Sequence, residues 1–540
     1  MFSIFKKKTS VQGTDSEIDE KITVKAKDKV VVSTEDEEVT TIVSSTKSTQ
    51  VTNDSPWQDP TYFSSFGKEL MFIATCMLAQ LLNQAGQTHA LCIMNVLSKS
   101  FNSEANNQAW LMASFPLAAG SFILISGRLG DIYGLKKMLI VGYVIVIVWS
   151  IISGLSKYSN SDAFFITSRA FQGVGIAFIL PNIMGLVGHV YKVGSFRKNI
   201  VISFIGACAP TGGMFGGLFG GLIVTEDPNQ WPWVFYAFGI ATFLSLLMAW
   251  YSIPNNVPTN IHGLSMDWTG SALAIIGLIL FNFVWNQAPI VGWDKPYIIV
   301  LLIISVIFLV AFFVYESKYA EVPLLPRAMT KNRHMIMILL AVFLGWGSFG
   351  IWTFYYVSFQ LNLRHYSPVW TGGTYFVFVI FGSMAAFFVA FSIKRLGPAL
   401  LLCFSLMAMD AGSIMFSVLP VEQSYWKLNF AMQAILCFGM DLSFPASSII
   451  LSDGLPMQYQ GMAGSLVNTV INYSASLCLG MGGTVEHQIN KSGNDLLKGY
   501  RAAVYLGVGL ASLGVVISVT YMLENLWNRH RKSEDRSLEA

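Results

Sequence analysis

The chain has 540 residues, of which 53% are hydrophobic and only 12% charged, with a net charge of +3. A soluble chain carries about 25% charged residues, so a water-soluble globular fold is excluded. Runs of about 20 apolar residues recur instead, and in lipid such runs cross as α-helices, because no water is present to satisfy exposed backbone groups.

Residues 1–66 are rich in Ser, Thr, Lys and acids, with EDEE at 35–38. They cannot bury a core and are predicted to be a disordered cytosolic tail. MFSIFKKKTS lacks the apolar core of a signal peptide. Fourteen spans are then predicted. They begin near Leu70, Gln108, Met138, Ala163, Asn199, Pro232, Trp268, Tyr297, Met335, Thr371, Pro398, Leu428, Met462 and Ala502. An even number places both tails on one side. Basic residues cluster after the even-numbered spans: Arg128, Lys136 and Lys137; Lys192, Arg197 and Lys198; Lys318, Arg327, Lys331 and Arg333; Lys394 and Arg395; Arg529, Arg531 and Lys532. Lys491, Lys498 and Arg501, in the last opposite loop, are the exception. The bias places both tails in the cytosol. The six cysteines lie in or at the ends of apolar spans with no CxxC spacing. They read as buried free thiols rather than disulfides or a metal site.

GRLGDIYGLKK, residues 127–137, joins the second and third spans. Gly127 and Gly130 strip side chains where a helix end approaches a neighbour, and Gly134 permits a tight turn. Asp131 is an acid at the membrane boundary, seeking an Arg or a helix N-terminus. A plain basic hairpin explains Lys136 and Lys137 but not the Gly-Asp-Gly spacing. The segment resembles the signature G-x-L-x-D-x-x-G-x-K-K of the major facilitator superfamily, matched at Gly127, Leu129, Asp131, Gly134, Lys136 and Lys137. The resemblance implies a conformational latch formed by Gly127, Arg128, Asp131, Gly134, Lys136 and Lys137, with Asp131 as its acid.

Two more segments carry the resemblance. SRAFQGVGIA, residues 168–177, is similar to the family's R-x-x-Q-G-x-G-x-A. An Arg at the centre of a span costs about 2.5–3.5 kcal/mol even on insertion scales. Arg169 and Gln172, one turn apart on one face, are therefore expected to face a cavity; the alternative is a structural partner or a snorkelling side chain. The family implies a part in proton coupling for this Arg. GGMFGGLFGG, residues 212–221, spaces Gly212, Gly216 and Gly220 by four, and Gly213, Gly217 and Gly221 likewise. Such faces pack helix on helix in lipid. The pattern resembles the antiporter signature G-x-x-x-G-P-x-x-G-G, with Gly217 in place of the Pro. WPWVFYAFG from Trp231, PLLP at 323–326, YSPVWTG at 366–372 and QGMAGSLVNT from Gln460 extend the match over nearly all of the membrane portion.

The resemblance is to the fourteen-span drug:proton antiporter branch, and within it to fungal aminotriazole-resistance and boron-efflux transporters. It implies an all-α polytopic membrane protein of two six-helix repeats plus two extra helices. The parts are a tail (1–66), a first bundle (67–253), two linker helices (254–318), a second bundle (319–525) and a C-terminal tail (526–540). SIKRLGP stands where a second latch belongs and lacks the Asp.

The first span reads LLNQAGQTHAL, without the acid that proton-coupled relatives carry there. Asp410 and Asp441 are the acids deep in spans, and they are the candidates for proton coupling; each could otherwise be a structural hydrogen-bonding group. Asp453 and Glu486 lie near helix ends and read as interfacial. Gln84 and Gln87, with Trp346, Trp352, Tyr355 and Tyr356, are candidates to line a substrate cavity. No phosphate-binding G-x-x-x-x-G-K-[ST] occurs, and no metal cluster or nucleophile arrangement stands out. The expectation is a plasma-membrane carrier, or alternatively a vacuolar one, and not an enzyme. It needs no cofactor, no metal and no nucleic acid, and works as a monomer. It exports a small toxic solute such as boric acid, borate or a triazole against protons. The alternatives are a non-transporting sensor on the same fold and an importer of a chelated metal.

Overall fold

The computed structural model describes residues 62–539 apart from 103–107, 160, 192–194, 261, 262, 264, 326–328, 330, 456–459, 492 and 494. The expected N-terminal tail lies outside these residues up to position 61. Fourteen long helices form among the described residues: α1 (Phe66–Cys92), α2 (Gln108–Tyr133), α3 (Leu135–Leu155), α4 (Asp162–Val190), α5 (Phe196–Glu226), α6 (Pro232–Ser252), α7 (Trp268–Val291), α8 (Pro296–Lys318), α9 (Arg333–Ser358), α10 (Phe376–Leu396), α11 (Pro398–Ser417), α12 (Leu428–Asp453), α13 (Gln460–Ile489) and α14 (Leu496–Glu539). The face of the bundle where α1 begins and α14 ends is the terminal face; its opposite is the far face.

Local signals set these boundaries. Ser65, Ser161, Ser195 and Asp267 cap α1, α4, α5 and α7 by accepting a backbone N–H. Pro232, Pro296 and Pro398 open α6, α8 and α11, where the missing N–H would have had no helical partner. The span expected from Thr371 is two pieces, a short helix Pro368–Gly373 and then α10. Helix α14 runs past the expected start of the C-terminal tail at 526, on to Glu539. Gly134 turns α2 into α3 with φ of +112°, and Gly397 turns α10 into α11 with φ of +81°. The two latch-like loops thus share the same left-handed glycine.

Helices α1–α6 pack on one another, as do α9–α14, and α7 packs on α8. Two seams join the halves, α2 against α13 and α5 against α10 with its short preceding helix. Helix α7 also reaches both halves. Trp110 of α2 donates to Gln287 Oε1 at 2.9 Å, while Asn286 Nδ2 donates to the Ser476 carbonyl of α13 at 3.2 Å.

Twelve of the helices are long and apolar enough to cross a membrane; α1 and α13 are not in that set. Their polar residues explain the difference. Gln80, Asn83, Gln84 and Gln87 follow i, i+3, i+4, i+7 spacing on α1, and Asn468 and Asn472 follow i, i+4 on α13, so each set shares one helical face. Buried amides need hydrogen-bonding company, and both faces turn to the space between the halves.

Candidate functional site

A cavity of about 160 Å³ lies between the halves. The α1 amides form one wall and Asn468 and Asn472 of α13 another; Trp346 and Phe349 of α9 and Asp441 of α12 complete it. Met184, Ile202, Val389 and Phe444 carry the lining down the terminal-face ends of α4, α5, α10 and α12. Toward the far face the two seams close over it. Three polar atoms of its lining have no hydrogen-bond partner among the described residues, the acceptors Asn83 Oδ1 and Asp441 Oδ2 and the hydroxyl of Tyr375. Asn83 is 4% exposed. Unpaired acceptors at such depth are costly and suit a solute that brings donors.

Gln84, Gln87, Trp346 and Asp441 therefore meet in one wall. The other candidates go elsewhere. Asp410 faces α14, where Ser512 Oγ donates to both of its oxygens at 3.1 Å, and it is not among the cavity residues. Trp352 is buried within the second half, stacked on Tyr356 at 4.7 Å. Tyr356 accepts from Gln433 Nε2 at 2.5 Å and donates to Thr374 Oγ1 at 3.1 Å. Tyr355 points to a separate cavity on the far side.

Arg169 and Gln172 take the structural alternative and do not face the central cavity. Both are wholly buried, and neither lines the cavity. Arg169 Nη1 donates to Gln172 Oε1, Nη2 donates to the Gly86 carbonyl of α1 at 2.5 Å, and Gln172 Nε2 donates to Ser150 of α3 at 2.9 Å. Phe115 and Phe235 flank the guanidinium at 4.8 and 5.8 Å, a cation–π arrangement. The pair braces four helices of the first bundle and adds Phe235 of α6. His89 of α1, which the sequence reading passed over, is buried beside it; its ring lies 5.0 Å from that of Phe235 and its Nε2 has no hydrogen-bond partner.

The helix-five glycines divide by face. Cβ atoms on Gly212, Gly216 and Gly220 would lie 2.3, 2.5 and 2.9 Å from the carbonyl oxygens of Leu81, Ala85 and His89, so this stripe seats α1 on α5. Gly217 and Gly221 meet the other half: their Cβ atoms would lie 3.0 Å from Gly372 Cα and 2.5 Å from Val369 N. One motif thus builds a permanent contact within a half and a contact across the far-face seam. Pro210 remains inside an unbroken α5 and lines the cavity.

The loop at 127–137 engages the chain leading from α6 to α7. Lys136 Nζ donates to the carbonyls of Trp250 and Ile253 at 2.9 and 2.7 Å and to Asn255 Oδ1 at 2.7 Å, capping the end of α6. The Asp131 carbonyl accepts from Asn260 N–H at 2.9 Å, and Arg128 reaches the Ser265 carbonyl at 3.5 Å. Gly127 faces Ser465 of the other half, and a Cβ there would lie 2.8 Å from its hydroxyl. Gly130 admits Asn182 and Lys137 is exposed. All six cysteines are buried free thiols. Among the described residues no group of three metal-ligating side chains forms.

The description "Major Facilitator Superfamily" matches residues 76–479. The chain is 64% identical over 475 residues to the Aminotriazole resistance protein of Saccharomyces cerevisiae, covering 88% of each chain. It is 39% identical to the Low affinity ammonium transporter of the same yeast, over 87% of this chain and 90% of that one. It is 37% identical to Efflux pump terJ of Aspergillus terreus, again over 87% and 90%. Among solved structures, an auto-inhibited POT family peptide transporter superposes with a TM-score of 0.60 at 15% identity, covering 84% of this chain and 95% of the other. At that identity the likeness is one of fold.

Proposed function

The chain belongs to the major facilitator superfamily, and on that premise we propose that it is a carrier, not an enzyme, exporting a small toxic solute from the cytosol in exchange for protons. The observation that carries the reading is the wall of the central cavity. Six amides and five aromatics share the lining with Asp441, its one ionisable carboxyl among the described residues. Such a wall favours neutral or donor-bearing solutes, because no cation stands in it to hold an anion. Neutral boric acid and aminotriazole suit it better than borate. The names of two relatives, a resistance protein and an efflux pump, support export. The lining extends toward the terminal face, which supports loading from that side.

Asp441 Oδ2 has no protein donor, so a proton or a solute N–H is the natural partner. Binding one in place of the other couples the two flows. Both halves of the cavity come from one chain, which supports a complete monomeric carrier. The test is flux in proteoliposomes under an imposed pH gradient, with labelled aminotriazole, boric acid and methylammonium as probes. Probe movement opposite to the imposed proton flow, with protons crossing in the other direction, is expected. Tight binding without flux would instead indicate a sensor, and accumulation down the proton gradient an importer.

Location is part of the same reading. The basic residues of the terminal face support cytosolic placement of both termini, and export of a toxic solute out of the cell would place the protein in the plasma membrane. Epitope tags at either end should stay hidden from antibody in intact cells, and a C-terminal tag stained from outside would reverse the orientation.

A further inference from the structure

A second cavity, of about 660 Å³, lies on the far side of the bundle. Helices α9 and α13 line both cavities in succession. Thr353 and Ala475 face the central one; Tyr355 and Leu479 face the far one. On α13 the two linings are about one helical turn apart along the helix, roughly 6 Å of rise from Ala475 to Leu479.

Glu486 is the acid in the far cavity. It is not turned outward at a helix end, as its position in the sequence suggests. Tyr355, itself wholly buried, donates its hydroxyl to Glu486 Oε2 at 2.7 Å. Gly499 brings α14 against the same side chain, since a Cβ there would lie 3.1 Å from Glu486 Cγ. The carboxylate is also wired to a bond between the halves. Tyr355 packs on Tyr500, with ring centroids 5.4 Å apart. Asn362, in the π-helical turn Phe359–Leu363 that continues α9, donates to Tyr500 Oη at 2.9 Å. The same Asn362 accepts from Asn95 Nδ2, just beyond α1, at 2.7 Å. Short π-turns of this kind occur mostly at functional sites.

We propose that the far cavity is a pH-sensitive gate of the carrier, with Glu486 as the group that takes a proton from the far side, while Asp441 carries the proton exchanged for solute. This rests on the proton-exchange reading above. A hydronium ion in the cavity gives its proton to the Glu486 carboxylate and leaves water, with charge conserved. The neutral carboxyl is a weaker acceptor for Tyr355, so the hold on the end of α9 slackens and with it the Asn95–Asn362 bond. Acid on the far side thereby favours parting of the halves there. The other titratable or charged residues around the same cavity, among those described, are the buried Tyr355 and Tyr500 and the exposed His365, His487 and Lys99. Among the described residues the remaining lining is neutral, and Glu486 supplies its one carboxylate.

The test uses the full chain in proteoliposomes with the three probes named above. Glu486→Gln should lose about tenfold or more of the flux stimulated by far-side acid. Because Gln mimics the neutral carboxyl, exchange of labelled for unlabelled probe at equal pH should match that of the parent protein under far-side acid. Tyr355→Phe keeps the ring packing and removes the donated bond. It should move the far-side pH of half-maximal flux by at least about half a unit, which a merely structural role would not do. If Glu486→Gln keeps the full response to far-side acid, the proposal is overturned. Should that variant fail to fold, an unchanged profile in Tyr355→Phe overturns it equally. If the parent protein itself ignores far-side pH, or moves none of the probes, the exchange reading fails first and this proposal falls with it.

Discussion

Asp441→Asn is expected to lower pH-driven transport by about tenfold or more, with solute binding still measurable. The substitution keeps size and shape but removes the exchangeable proton. Asp441 lines the central cavity, and its Oδ2 has no protein partner. It also stands at the seam between the halves. A Cβ on Gly382 of α10 would lie 2.7 Å from Asp441 Oδ2 and 2.7 Å from Pro210 Cγ of α5. An unpaired carboxylate there carries a desolvation cost of several kcal/mol, which closure of the seam cannot absorb and a bound proton relieves. Asp410→Asn is the control. That side chain sits between α11 and α14, held by Ser512, and its loss should leave the pH dependence of flux in place. Flux and its pH profile in reconstituted protein decide the matter. An Asp441→Asn carrier with the parental profile would show that the acid is structural.

The second large effect is expected at the far-face seam. A Cβ on Gly372 would lie 2.3 Å from the carbonyl carbon of Gly217, against backbone that cannot swing aside. Gly372→Leu should therefore hold the seam apart, at a cost of about 1–3 kcal/mol for the closed form. That is a shift of roughly 5- to 150-fold in population, and transport that requires closure should fall accordingly. Cys92 supplies a native reporter. It is buried beneath this seam, where a Cβ on Gly217 would lie 2.8 Å from its Sγ. An impermeant thiol reagent applied from the far face should label Cys92 faster in the variant, with Cys92→Ser as the blank. Gly373→Leu is the matched control, because nothing lies within 4 Å of a Cβ at that position. Equal labelling and equal transport in both variants would exclude a closing contact between these glycines.

Much of this arrangement is legible without coordinates. Length, low charge and recurring apolar runs determine the membrane-spanning class, and capping residues and prolines mark most helix starts. The four-residue glycine spacing of α5 announces close packing. The amide stripe of α1, Gln80, Asn83, Gln84 and Gln87, is equally plain in the periodicity, although only its two last members were singled out; the i, i+4 pair Asn468 and Asn472 could have been found the same way. The family resemblance set by residues 127–137 and 168–177 stands on the match over residues 76–479.

What only the tertiary structure decided is which neighbour each helical face meets. Asp410 and Asp441 look alike as sequence, each an acid deep in an apolar run. The rotation of α11 aims one at Ser512, and the rotation of α12 aims the other into the cavity. Arg169 and Gln172 share a face as their spacing requires, yet that face meets Gly86, Phe115 and Ser150 within the first bundle. Glu486 lies near a helix end, where the expected surroundings are headgroups, and a tyrosine more than a hundred positions away turns it inward. Periodicity determines which residues lie together on one helix. The orientation of that helix against its partners comes from packing many side chains at once, and no single segment contains that information.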